Sequence, residues 1–177
     1  ADTMILEIGR YRLAIGMEWK FTQAKAGVRE QMKEISKAKG RAVFVADESS
    51  NGEWLGWEPH GGRQKAHAGA ALIGLATPEA VIHHKLPDGN VWVCVLSQGY
   101  PVPGMGDRVL SPDEARAAFD EAFAMFATLQ PYGDVPGSRG TLDELLEKVD
   151  EAVNAKAIAK KRIDALVLRS PGVDPRL

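Results

Sequence analysis

The sequence predicts an α/β domain, a mixed β-sheet with helices packed on it, and three observations support this. Two apolar runs, 79–86 and 91–97, flank Pro87-Asp88-Gly89-Asn90, and Asp-Gly in such a connector readily supplies the positive φ of a hairpin. Two helix starts carry capping boxes, Ser111-Pro112-Asp113-Glu114 and Thr141-Leu142-Asp143-Glu144, in which the hydroxyl and the glutamate satisfy backbone donors reciprocally. The segment order is two strands, helix, strand, meander, two helices, strand. That order argues for one mixed sheet rather than the strict alternation of a doubly wound fold.

Residues 4–9 and 11–19 form an opening hairpin around Gly9-Arg10, with Leu6 and Ile8, then Leu13 and Ile15, at strand spacing. Phe21, Ala24, Val28, Met32 and Ile35 recur at helical spacing up to Gly40, which predicts a helix over 22–39. The apolar run 41–46 is a short core strand. Residues 47–64 are polar and turn-rich, a loop with one short strand around 53–58 that carries Trp54 and Trp57. A small helix over 66–75 ends at Thr77-Pro78, 101–106 is an irregular turn, and 107–110 is a short strand. Phe119, Ala122, Phe123 and Phe126 form the buried face of the helix after Ser111, and Leu142, Leu145, Leu146, Val149 and Val153 that of the helix after Thr141. Between these helices, 130–140 reads as a Pro/Gly loop, and 162–168 alternates as a last strand.

At 177 residues, 45% hydrophobic and 26% charged, the chain fits one globular domain with a sizeable core. A formal net charge of −2 lacks the basic excess of a nucleic-acid binder, so no nucleic acid is expected as a partner. The lone cysteine, Cys94, excludes an internal disulfide framework and fits a reducing compartment. The longest apolar runs, 91–96 and 68–76, fall well short of the ~20 residues that cross a bilayer. The start, Ala1-Asp2-Thr3-Met4, has no basic region followed by an apolar stretch, and it suggests a fragment. The domain is expected over 4–169, and 170–177, with Pro171, Gly172 and Pro175, as a linker.

Catalytic chemistry finds little footing. A metal site needs three or more converging ligands, yet His83 and His84 are adjacent in a predicted strand and point to opposite faces. His60 sits in a Gly-rich loop and His67 at a helix start. Ser49, Ser50, Ser97 and Ser111 lie outside any Gly-x-Ser-x-Gly elbow, and Ser111 is already a cap. Cys94 shares a strand face with Trp92 and Leu96, the setting of a buried inert thiol. Gly104-Met105-Gly106 lacks the third glycine of a phosphate cradle, and Gly61-Gly62-Arg63 reads as an anion nest or a plain turn. Glu58, Asp107 and Asp113-Glu114 have turn and cap explanations. The expectation is a protein-binding domain that is not an enzyme, with no catalytic, cofactor-binding or metal-binding residue and no cofactor. The alternative is a small-molecule or metal-dependent enzyme using His60, His67 and a carboxylate.

Two features point to protein interaction. Lys25, Arg29, Lys33 and Lys37 recur every four residues along the first helix and form a basic stripe. This is either a solvated face offset by Glu30 and Glu34 or a surface for an acidic partner or anionic headgroups. Trp54 and Trp57 are either interface anchors in a polar loop or a lid over the core.

The opening stretch from Ile5 through Glu7-Ile8-Gly9-Arg10 to Trp19 resembles the start of a pilus protein family. The resemblance continues in Leu86–Val93, in Gly99-Tyr100-Pro101-Val102-Pro103-Gly104 and in the acidic helix entry at Ser111, and covers most of 4–168. The family is that of the PilO-like, BfpC-related inner-membrane assembly proteins of type IVb pili. The resemblance implies a cytoplasmic N-terminal domain at the bacterial inner membrane, with a membrane helix following the present C-terminus. Its implied partners are the pilus assembly ATPase and inner-membrane platform proteins, and a homodimer stays open. It also implies a fold like one half of an actin-like pair, with Glu7-Ile8-Gly9 similar to that fold's first phosphate hairpin, Asp-x-Gly. Glu7 stands at the Asp position and a second phosphate loop is missing, so a degenerate nucleotide-binding domain around 7–16 is a further alternative.

Overall fold

The computed structural model describes residues 3–23, 25–59 and 62–171, with backbone alone at 25 and 26. Its first part runs β1 (Met4–Ile8), β2 (Tyr11–Ile15), β3 (Glu18–Thr22), α1 (Lys25–Lys37), β4 (Ala42–Ala46) and β5 (Glu53–Trp57). There follow β6 (His67–Ala68), α2 (Gly69–Gly74), β7 (Ala80–Lys85), β8 (Val91–Ser97), β9 (Tyr100–Pro101) and β10 (Asp107–Leu110). The last part is α3 (Pro112–Met125), β11 (Gln130–Gly133), α4 (Leu142–Asn154) and α5 (Lys160–Asp164). The class is mixed α/β, with helices packed on sheets.

The strands divide among three sheets: β1-β2-β6, β3-β5-β4 and β10-β8-β7-β11, with β9 also on β8. The division begins at Gly16, where the second apolar segment, expected as one strand, breaks into β2 and β3. Gly16 takes a φ of 76°, which turns the chain out of one sheet and into the next. β3 then pairs with β5 antiparallel, Trp19 opposite Gly56. The Trp19 ring lies so close over Gly56 that a Cβ there would stand 2.5 Å from it.

β8 is buried on both faces. Trp92, Cys94 and Leu96 enter the main core with Leu13, Ile15, Leu72 and Ile73, while Val91, Val93 and Val95 face α3. The α3 residues against this face are Ala115, Ala118 and Ala122; Phe119, Phe123 and Phe126 are only partly buried at its margins. Small side chains let the helix approach the sheet closely, which reverses the expected order of alanine and phenylalanine. Both capping boxes form, Ser111 with Glu114 and Thr141 with Glu144. α4 buries Leu142, Leu145, Leu146 and Val149 in the main core, at about 1.5–3 kcal/mol for each side chain removed from water.

Three expectations need correction. The Pro/Gly loop over 130–140 contains β11, parallel to β7 with Tyr132 opposite Ile82. Pro131 has no N–H to give, but β11 is an edge strand and its carbonyl accepts from Arg139. The segment 66–75 is two-residue β6 followed by α2 rather than one helix. The expected last strand over 162–168 is instead the end of α5 and two single bridges, Val167 to His67 and Arg169 to Ala42. Ile163 and Leu166 are both buried at a spacing of three, a helical repeat that the alternation of Leu166 and Leu168 concealed. Of the expected linker, 172–177 lie outside the described residues.

Candidate docking surface

α1 lies on one face of the β3-β5-β4 sheet. Met32 and Ile35 are buried there against Leu55 and Ala42, with Val28, Phe44 and Trp57 partly buried around them. Because the inward residues repeat at helical spacing, Arg29, Lys33 and Lys37 are carried on the outer side, where all three are exposed. Lys25 opens the same helix, and its side chain lies outside the described residues. Glu30 approaches Lys33 at 3.7 Å, with both side chains at least 70% exposed. A pair so solvated holds Lys33 only weakly, by well under about 1 kcal/mol. The stripe thus keeps its cations accessible, though neighbouring glutamates dilute their field.

The two tryptophans part company. Both stand in β5, the short strand expected around 53–58, and three residues along a strand places them on opposite faces. Trp57 joins Leu55 on the α1 side. Trp54 packs against the main core, stacked on Tyr100 at 5.4 Å between centroids and 12° between planes, with Phe21 at 5.2 Å. Its Nε1–H donates to Asp47 Oδ2 at 3.1 Å, and the Tyr100 hydroxyl donates to the Ala46 carbonyl at 3.0 Å. The Ser49 hydroxyl and amide also donate to Asp47, which lowers its carboxyl pKa. Trp54 therefore braces one sheet against another. Only Trp57 shares a layer with the basic stripe, so the pairing of Trp54 with Trp57 as one surface is corrected.

Among the described residues, those considered for catalysis do not converge. His60 and Gly61 lie outside the described residues. His67 packs edge-on against Tyr11 at 6.0 Å, and burial lowers its pKa. His83 is buried edge-on to Phe119 at 5.8 Å, while His84 faces Asp134 at 3.9 Å; burial lowers the pKa of each, which keeps them neutral near pH 7. His83, Lys85, Arg116, Phe119, Asp120 and Asp134 line an open cleft of about 540 Å³ that contains no serine or cysteine. Among the described residues no three His, Cys, Asp or Glu side chains are grouped to hold a metal. Cys94 is fully buried, and burial pushes its thiol well above the usual range. Beside the Gly9-Arg10 turn, Arg10 pairs with Asp150 and Arg12 with Glu7, so both arginines are engaged. The Gly62 amide donates to Glu58 at 3.0 Å, which turns the supposed anion nest onto a carboxylate of the protein itself.

Two carboxylates read as turn residues prove to be buried. Glu58 pairs with Arg41 at 2.6 Å, the two side chains 2% and 9% exposed. Asp107 accepts from the Gly16 amide at 2.7 Å and from the indoles of Trp92 at 2.8 Å and Trp19 at 2.9 Å. Burial nevertheless raises its carboxyl to about 6. Asp107 ties Trp19 of the sheet beneath α1 to β8 and β10, whereas Glu58 and Arg41 join the ends of β5 and β4 within that sheet. Glu114, by contrast, has the cap role expected of it.

No family model matches the sequence, and no curated protein matches it. A solved structure does. The fold is similar to that of the cytoplasmic domain of BfpC. The match has a TM-score of 0.59 at 15% identity and covers 79% of this chain and 90% of the BfpC chain. At that identity the likeness to BfpC is one of chain path, and the exposed face of α1 stands on its own geometry. No helix among the described residues is long and apolar enough to cross a membrane.

Proposed function

We propose that this chain is a non-enzymatic scaffold domain of a type IV pilus, or type II secretion-like, assembly machine, binding the assembly ATPase and inner-membrane platform proteins. The observation that carries this reading is the fold similarity to the BfpC cytoplasmic domain over most of both chains. The separation of His67 from His83 and His84, the buried thiol of Cys94 and the engagement of both hairpin arginines favour binding over catalysis. The contact surface is the outer face of α1, with Arg29, Lys33 and Lys37 exposed on it and Trp57 at its base. Such a face suits an acidic partner surface, where long cations mainly raise the association rate and set orientation. The domain sits at the cytoplasmic face of the inner membrane, held there by a segment outside this chain.

Calorimetry against the cognate pilus ATPase, with and without nucleotide, tests this directly. Binding is expected, and Arg29→Glu combined with Lys33→Glu weakens it roughly tenfold or more, with a steep salt dependence. An absence of binding in every nucleotide state would sink the reading.

A further inference from the structure

We propose that β1 is the seam of a homodimer, in which two copies of this chain join their β1 strands antiparallel about a two-fold axis at Leu6. β1 is the edge of its sheet, paired on one side only, with β2. The hairpin between them turns through Gly9, at a φ of 57°, and Arg10. Glycine at the first central position of a two-residue turn is the type II′ arrangement, which makes Ile8 and Tyr11 a hydrogen-bonded pair. Bonded pairs alternate along an antiparallel ladder, so Leu6–Leu13 and Met4–Ile15 are bonded as well. Ile5 and Glu7 therefore direct their N–H and C=O groups outward. Among the described residues nothing meets those four groups.

Natural edges are blunted by charged side chains, by proline or by a bulge. β1 carries no proline, its one charge is Glu7, and its register with β2 runs unbroken over all five positions. The occupant follows from how the edge matches itself. With the axis at Leu6, Ile5 falls opposite Glu7 of the second copy and Glu7 opposite its Ile5, which satisfies all four outward groups of each strand. On the core-facing side Leu6 meets Leu6, and partly buried Met4 meets partly buried Ile8, so the apolar surface these side chains leave at the edge is covered by its like. On the other side Glu7 is already paired with Arg12 at 3.2 Å and brings no net charge to the seam. A strand seam is smaller than the interface of a permanent dimer, so the association is concentration-dependent. The inference does not rest on the docking reading.

Sedimentation of the full chain over a range of concentrations, with amide exchange measured at each, tests it. The mass should rise toward that of two chains as concentration increases, and exchange should slow at Ile5 and Glu7. Ile5→Pro removes an outward N–H and leaves the β1–β2 ladder intact, so the variant stays folded and dimerises roughly tenfold or more weakly. Met4→Lys, which puts a charge opposite Ile8, weakens it too and serves if the proline variant does not fold. A monomer at every concentration overturns the proposal. So does a dimer whose Ile5 and Glu7 amides ignore concentration, or one that a folded Ile5→Pro or Met4→Lys variant forms as readily as the parent.

Discussion

Replacing Asp107 by asparagine tests whether one buried carboxylate sets the acid side of this protein's stability. Asp107 is 6% exposed and accepts from Gly16, Trp19 and Trp92. Those donors favour the charged form, but desolvation outweighs them, and the carboxyl rises from an ordinary 3.8 to about 6. The folded protein thus holds this proton more tightly than the unfolded chain. Its contribution to stability is fully present below about pH 4 and lost as pH climbs toward 6, by about 3 kcal/mol for a shift of about two units. Asparagine does not titrate, so this loss disappears. Its amide nitrogen also replaces one acceptor and confronts at least one N–H, which costs about 1–3 kcal/mol. The variant is therefore less stable than the parent at pH 4 and close to it at pH 7. Urea unfolding followed by tryptophan fluorescence from pH 4 to 7.5 measures both curves. His67, His83 and His84, whose pKa values fall on burial, stabilise the fold as pH rises toward 6.5 and oppose Asp107. They are common to both proteins, so the difference between the curves isolates Asp107. Parallel curves for the two proteins refute the reasoning.

Two further outcomes follow from buried or capping groups. Glu58→Ala leaves the Arg41 guanidinium buried without its counter-ion, and urea unfolding should show a loss of about 3–5 kcal/mol. Thr141→Ala removes the hydroxyl that caps α4 at Glu144, and should cost about 1 kcal/mol in the same measurement, with amide exchange accelerated in the first turn.

Features written within a few residues were legible beforehand. The Pro87–Asn90 connector lies between β7 and β8, and both capping boxes start helices where their Ser and Thr stand. The outward face of α1 was also legible, because cations four apart must share a side once Met32 and Ile35 face inward. β11 was hidden because Pro131 and Gly133 read as loop, and only a neighbour in β7 makes a strand of them. The fate of the tryptophans was within reach: a strand around 53–58 already implies opposite faces for Trp54 and Trp57. What covers each face was not, since Tyr100 lies far along the chain.

The buried carboxylates left fainter traces. A tryptophan in the middle of an apolar run, such as Trp92, needs an acceptor for its N–H, and Arg41 at the head of a core strand needs a counter-ion. Those needs could be read from the order of residues, but not the groups that meet them. Local rules carried the β7–β8 hairpin, the caps and the accessible cations, because backbone geometry and side-chain period act over a few positions. The division into three sheets, and the meeting of Asp107 with Gly16, 91 residues away, arose from packing. A buried acceptor is matched to whichever donors the folded chain brings within about 3 Å, and distance along the chain places no bound on that.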